Sequence, residues 1–185
     1  MDDNRRNLDG YFYLAGFGAC IPAANWLIQN VGTVCVPDGP CLIPVAPGIM
    51  APSGVLMIGL ALVLRDLVQR RLGVKWAVAA IVVGATLSAA LAPPALVVAS
   101  AVAFLLSELA DLAVYTPLQK RRLVLAVFLS GVVGSFVDSI IFLQIAFGSL
   151  DFLAGQVLGK IWVTALAVPV IWRIRRLEDT SAARA

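Results

Sequence analysis

Six apolar segments, each close to the length needed to cross a lipid bilayer, run through this sequence. They fall at about 11–30, 52–72, 74–92, 94–118, 122–147 and 152–173, bounded by charges, Pro and Gly. A helix needs about 20 residues to cross the roughly 30 Å hydrocarbon layer. Since 61% of the 185 residues are hydrophobic and only 14% are charged, the composition is not that of an ordinary soluble domain. We predict an all-α membrane protein, with residues 1–185 forming a single six-helix transmembrane bundle.

The positions of the basic residues predict the orientation of this bundle. Cytoplasmic loops of membrane proteins are enriched in Lys and Arg. With the N-terminus in the cytoplasm, thirteen of the 14 basic residues lie on that side, and the outward connections near 31–51, 92–94 and 148–151 contain none. We therefore expect both termini to be cytoplasmic. The net charge of +3 is explained by this asymmetry, so it does not indicate a nucleic-acid partner.

The connection at 31–51 is the one long loop expected between the helices. Its Pro and Gly content forbids a regular helix and predicts a structured loop or a re-entrant lid. Cys35 and Cys41 could form a disulfide in an oxidising periplasm, although two ordinary loop cysteines explain them equally well. Because the sequence has no His and only one other Cys, Cys20, a His/Cys zinc site is not available. We expect no metal, no cofactor and no enzymatic activity.

Ionisable residues inside the apolar segments are the first candidates for a functional site, because a charge at the bilayer centre costs about 2.5–3.5 kcal/mol on insertion scales. The helical rise places Asp138 about 15 Å below the outer surface and Lys160 about 13.5 Å below it. The short connection between their segments indicates antiparallel packing. We predict an Asp138–Lys160 ion pair or a shared polar site. The alternative is that this pair only orients two helices.

Polar residues at helical spacing accompany this pair. Phe142 lies one turn from Asp138, and Gln156 lies one turn from Lys160. Two such facing stripes are more typical of a cavity wall than of a lipid-facing surface. We predict that these four residues contact a solute.

Four further residues are candidates. Glu108 and Asp111 share one face of the fourth segment, at roughly the depth of Arg65. They could bind a solute, or they could form a salt-bridge network with Arg65 that locks the topology. Asn25, near the outer end of the first segment, could line the entrance or lie at the membrane interface. Trp162 lies deeper in the sixth segment and could line the cavity.

Several motifs together resemble one transporter family. They are an Asn in the first segment, RDLVQRRLG at 65–73, SELADLAVY at 107–115, GSFVDSIIFLQIAFG at 134–148 and GQVLGKIWVTALAVP at 155–169. This combination resembles the VUT family, also called the queuosine precursor transporter family. The outer loop at 31–51 does not match the family pattern clearly.

The resemblance implies a multi-pass protein of the bacterial inner membrane that imports the queuosine precursors 7-cyano-7-deazaguanine and 7-aminomethyl-7-deazaguanine. Asp138 or Glu108 would accept the N–H donors of the base, and Phe142 or Trp162 would stack on it. The partners are then this small molecule and membrane lipid, with no nucleic acid. A homodimer is an open alternative, as is the choice between proton coupling and facilitated diffusion with metabolic trapping.

Two other classes of function stay open at this point. A substrate-binding subunit of an energy-coupling vitamin transporter also has about six helices and no ATPase of its own, and a transporter of another purine-like or vitamin solute is related. A non-transport protein would be a scaffold, or an intramembrane enzyme that pairs a serine with Lys160 in place of the missing His.

Overall fold

The computed structural model describes residues 3–37, 39–92 and 96–182, with the backbone alone described at 3–6, 175 and 177–182. Nine elements follow one another along the described chain. In chain order they are α1 (Asp3–Asn30), β1 (Val34–Cys35), β2 (Cys41–Ala46), β3 (Ile49–Pro52), α2 (Val55–Leu72), α3 (Val74–Leu91), α4 (Val97–Leu118), α5 (Leu123–Phe147) and α6 (Leu153–Ala182).

The six helices agree with the six predicted segments, with two differences in length. Helix α1 begins at Asp3 and α6 continues to Ala182, so each extends past the apolar stretch into charged sequence. Backbone hydrogen bonding continues after hydrophobicity ends, so apolar patterning underestimates such helices. The start predicted at 94 for the fourth segment lies outside the described residues.

Five of the six helices are long and apolar enough to cross a membrane by length and composition. The remaining helix, α2, has 18 residues that include Arg65, Asp66, Arg70 and Arg71. Among the described elements, α2 contacts each of the other five helices. This central position explains its composition, since intramembrane charges face the interior of a bundle and pair there.

Two glycines allow the chain to reverse within very short connections. Gly73 alone joins α2 to α3 at φ +93°, and Gly148 ends α5 at φ +64°. Both angles lie in the left-handed region, which glycine adopts without the steric cost that a side chain imposes. These short connections let α2 and α3, and likewise α5 and α6, pack in opposite directions, as the sequence predicts for α5 and α6.

The loop after α1 forms a three-stranded antiparallel sheet in the order β1-β2-β3, so the all-α prediction is wrong for this segment. A disulfide joins Cys35 to Cys41, which are also paired residues of β1 and β2. We call this sheet the cap. It packs on the start of α6, where a Cβ added at Gly155 would overlap the carbonyl oxygen of Met50. The cap therefore covers one end of the bundle.

Two apolar clusters pack the bundle interior around α2. One joins α1, α2, α3 and α4 through residues that include Phe17, Ile21 and Phe104. The other joins α2, α4, α5 and α6 through residues that include Leu67, Tyr115 and Ile171. Large apolar side chains such as Leu166 are exposed on the outside, as expected of a surface that faces lipid.

We expect maleimide to label Cys35 and Cys41 only after reduction, because a disulfide sulfur carries no thiolate. Labels would be counted by mass spectrometry on protein made in an oxidising compartment. Replacing Cys35 by Ser should also lower the free energy of unfolding by roughly 2 kcal/mol. The control is Cys20→Ser, since Cys20 is buried and unpaired. Labelling of both loop cysteines without reductant would show that the disulfide is absent.

Candidate functional site

A cavity lies beneath the cap, between the helices. Together with its open mouth it encloses about 590 Å³ of empty space. Each of the six helices contributes to its wall, and Pro52 of the cap does too. Its polar and aromatic lining consists of Asn25, Ser88, Ser100, Phe104, Asp138, Phe142, Gln156 and Lys160. We call this space the central cavity.

The predicted Asp138–Lys160 ion pair is present at the wall of the central cavity. Lys160 Nζ donates to Asp138 Oδ2 at 2.5 Å, to Ser139 Oγ at 2.8 Å and to Gln156 Oε1 at 3.1 Å. An ammonium group has three donors, so these bonds use all of them. The Lys160 side chain is only 1% exposed, whereas that of Asp138 keeps 11% of its surface exposed. Asp138 is therefore the member of the pair that a solute can reach.

Close helix packing fixes the backbone beneath this pair. A Cβ added at Gly59 of α2 would lie 3.0 Å from Lys160 Cα, and one added at Gly131 of α5 would lie 3.1 Å from the Thr164 side chain. Small residues let helix backbones approach within a membrane, where apolar side chains gain nothing by leaving lipid. The glycines thus bring α2, α5 and α6 together around Lys160.

Five of the eight sequence-predicted site residues line the central cavity: Asn25, Asp138, Phe142, Gln156 and Lys160. Sequence reasoning missed Phe104, Ser88 and Ser100. Phe104 lies one helical turn before Glu108, so the spacing that singled out Glu108 could have found it. The two serines carried no such signal, because the one charged residue of α3, Lys75, lies at the end far from Ser88, and the first half of α4 has no charged residue.

Trp162 was predicted to line the cavity, and this prediction is wrong. Its side chain is 54% exposed, and its Nε1 donates to the carbonyl oxygen of Val45 in the cap at 3.2 Å. Two residues along a helix correspond to a rotation of about 200°. Trp162 therefore lies on the face of α6 opposite Lys160, where it anchors the cap from outside.

Glu108 and Asp111 are fully buried and are not among the described residues that line the cavity. Both bind Arg65: Arg65 Nε donates to Glu108 Oε2 at 2.9 Å, and Nη2 donates to Asp111 Oδ1. Arg65 Nη1 lies 2.8 Å from Oδ1 of Asp66. We call Arg65, Asp66, Glu108 and Asp111 the Arg65 cluster. The predicted contact of Arg65 with both acidic residues is confirmed, and it favours the salt-bridge interpretation for them.

The Arg65 cluster adjoins the central cavity. Glu108 lies one turn beyond the cavity residue Phe104 on α4, and its charge acts on that of Asp138. On α2, Arg65 lies seven residues beyond the cavity residue Ile58, about 10 Å along the helix axis. The interior thus has two polar layers, with the Asp138–Lys160 pair nearer the cap and the Arg65 cluster farther from it.

The two layers do not assemble the parts of a metal site. Among the described residues there is no group of three or more His, Cys, Asp or Glu side chains placed to hold a metal ion.

Ser139 contacts Lys160, but the ammonium donates to it and to two other oxygens. A donating ammonium has no lone pair to accept the serine proton, so this contact is unlike that of a serine nucleophile with its base.

Comparison with known proteins gives one family match, over part of the chain. A family model described as "Putative vitamin uptake transporter" matches residues 88–174. No curated protein and no solved structure gives a significant match. The matched segment runs from the end of α3 through most of α6, and it includes the Asp138–Lys160 pair together with Glu108 and Asp111. This segment, which is less than half of the 185 residues, is therefore similar to vitamin uptake transporters, and the five long apolar helices support a multi-pass membrane protein.

Proposed function

We propose that this chain is a stand-alone transporter that imports the queuosine precursors 7-cyano-7-deazaguanine and 7-aminomethyl-7-deazaguanine through the central cavity. The observation that carries the proposal is the position of Asp138. Its Oδ2 holds Lys160, while part of the carboxylate remains exposed at the wall of a cavity that also contains two phenyl rings and two amide side chains.

The chemistry of this wall suits a guanine-like base. Such a base presents adjacent N–H donors on one edge, and a carboxylate accepts two donors side by side. Its flat ring can pack against Phe104 or Phe142, and Asn25 and Gln156 supply further polar contacts.

Two details of the site refine the solute contacts expected from the sequence. Lys160 donates its three N–H groups to Asp138, Ser139 and Gln156, so its role is to hold Asp138 and Gln156 in place. Glu108 and Asp111 act behind the wall through Arg65. The direct contacts we propose are therefore Asn25, Phe104, Asp138, Phe142 and Gln156.

The proposed direction of transport rests on a six-span topology with both termini in the cytoplasm of a bacterial inner membrane. The cap then lies on the outer side, and the basic residues at the ends of α2 and at the starts of α3 and α5 lie on the inner side. Helix α2 counts as a span because Arg65 and Asp66 are buried among other helices instead of facing lipid.

We expect a membrane-impermeant maleimide to label Asp151→Cys in intact cells and Lys75→Cys only after lysis. Both positions are exposed, at opposite ends of the bundle. The Cys20→Ser background removes the remaining free thiol. The reverse pattern would show that the topology is the opposite of the one proposed. Labelling of both positions in intact cells would show that they do not lie on opposite sides of the membrane.

We expect the wild-type protein to restore queuosine in the tRNA of cells that cannot make the precursor, when labelled 7-cyano-7-deazaguanine is supplied. Asp138→Asn should weaken solute binding about 10- to 100-fold, because a hydrogen bond to a charged group contributes about 1.5–3 kcal/mol. Trp162→Phe is the matched control, since Trp162 lies outside the cavity, and it should retain uptake. Equal uptake by both variants, at equal membrane abundance, would show that Asp138 does not bind the solute.

A pair of double variants separates solute binding from helix orientation. Removing one member of a buried ion pair costs about 3–5 kcal/mol because the other charge is left unpaired, so single variants disturb folding as well. The exchange Asp138→Lys with Lys160→Asp keeps the pair, and the neutral pair Asp138→Asn with Lys160→Met removes both charges. We expect both double variants to fold, by thermal unfolding of the purified protein, and neither to transport. Full uptake by the exchanged pair would show that it only orients helices.

The family description names vitamin uptake, which makes a vitamin-like solute the second candidate. Failure of the wild type to restore queuosine, despite verified membrane expression, would favour it and call for an unbiased ligand screen. Co-purification with an ATPase would instead identify the chain as the substrate-binding subunit of an energy-coupling transporter.

A further inference from the structure

The Arg65 cluster has more negative groups than positive ones. It contains one guanidinium and three carboxyl groups, and the four side chains are at most 1% exposed. With all four ionised, its formal charge would be −2. Removing an ion from water costs several kcal/mol even after the surroundings relax. Such an imbalance therefore requires compensation from nearby cations or from bound ligands.

The cations nearest to this cluster in the surrounding elements have hydrogen-bond or ion-pair partners outside it. On α5, Ser130 donates to Asp66 at 3.1 Å, and Asp138 adds another negative charge. Lys160 of α6 donates its hydrogen bonds to Asp138 and to two neutral oxygens. Arg70 donates to the Gln119 carbonyl oxygen, and Arg71 lies 3.9 Å from Asp9 of α1, both at the end of α2. The apolar cluster shared by α1, α3 and α4 contributes no charge.

One carboxyl oxygen of the cluster, Oδ2 of Asp111, has no hydrogen-bond donor among the described residues, whereas Oδ1 of Asp66 lies 2.8 Å from Arg65 Nη1. Asp66 and Asp111 are both fully buried, and the Tyr115 hydroxyl is also without a hydrogen-bond partner in the described part of the chain. The two carboxyl groups lie side by side, because Asp66 Oδ1 binds Nη1 and Asp111 Oδ1 binds Nη2 of the same Arg65 guanidinium. Two carboxylates have no proton to share, whereas a carboxylic acid and a carboxylate do. A proton on this pair supplies the missing donor and lowers the excess charge.

The space around the pair suits a proton better than a metal ion. A Cβ added at Gly134 of α5 would lie 3.3 Å from Asp111 Oδ2 and 3.1 Å from Asp111 Cβ, so the helix backbone closes that side. No group of acidic side chains in the described part of the chain is arranged to hold a metal. A sodium ion would also need about six oxygen ligands of the kind that hard cations require.

We propose that Asp66 and Asp111 form a proton-binding site, and that release of this proton is coupled to solute movement through the central cavity. The proton leaves the O–H bond of one carboxyl group and passes to water, which leaves two carboxylates beside Arg65. Arg65 then has three carboxylates to balance, and it bonds Glu108, whose charge acts on Asp138 at the cavity. Loss of the proton from this pair thereby changes the electrostatic potential at the solute site. The coupling rests on the proposed transport function, whereas the proton site itself does not.

Infrared spectroscopy tests the proton site without any transport assay. The purified wild type should show the carbonyl band of a protonated carboxyl group at neutral pH, with a shift in heavy water. Asp66→Asn and Asp111→Asn should each lose that band. Asp151→Asn, which changes an exposed loop carboxylate, should keep it. A wild type without the band overturns the proposal whether or not the variants fold, and so does a band that survives both cluster substitutions.

Proteoliposomes test the coupling with labelled 7-cyano-7-deazaguanine. For one proton per solute, the wild type should accumulate it up to about tenfold for each unit of pH gradient. Asp111→Asn imitates the protonated acid, so it should retain solute exchange without a gradient and lose gradient-driven accumulation. Accumulation driven by sodium, or unchanged gradient-driven accumulation in Asp111→Asn, overturns the coupling. Absence of exchange by the wild type overturns the assigned solute, and the infrared result then decides the proton site alone.

Discussion

The contact of Arg65 with Glu108 and Asp111 holds α2 at the centre of the protein, although this helix has charged residues within its length. In a membrane, apolar side chains gain little by leaving lipid for protein, so polar contacts and close backbone approaches decide which helices meet. A guanidinium with three carboxyl groups around it has no stable place at a lipid-facing surface. Helix α2 is therefore enclosed by the other five helices, and the central cavity forms where α2 continues past this contact toward the cap.

The cavity and the cluster divide the interior into two kinds of polar layer. Near the cap, a matched pair of charges is satisfied by its own neighbours and leaves one carboxylate edge exposed. Farther from the cap, an unmatched group of charges is buried outside the cavity lining, with the helix backbone close to Asp111 at Gly134. The first arrangement suits reversible contact with a neutral polar solute. The second suits a group that responds to protons.

Much of the site was accessible from the sequence because helices are regular. Helical rise and a short connection were enough to place Asp138 beside Lys160, and spacing by three and four put Glu108 and Asp111 on the face that meets Arg65. The misplacement of Trp162 came from weighing its depth while neglecting the rotation of about 200° from Lys160. The capping sheet could not be predicted, because its strands are only two to six residues long and two of the three contain proline, so they show no clear hydrophobic period.

By itself, the sequence determined which segments form helices, their antiparallel order and the residues that must be kept from lipid. These properties depend on hydrophobicity, helical geometry and the cost of an unpaired charge, all of which act within a single segment. Only the tertiary structure decided which buried groups line a cavity and which contact one another. That choice depends on helix rotation and on approaches such as Gly59 to Lys160 and Gly134 to Asp111. Such contacts join residues more than twenty positions apart, and no local pattern encodes them.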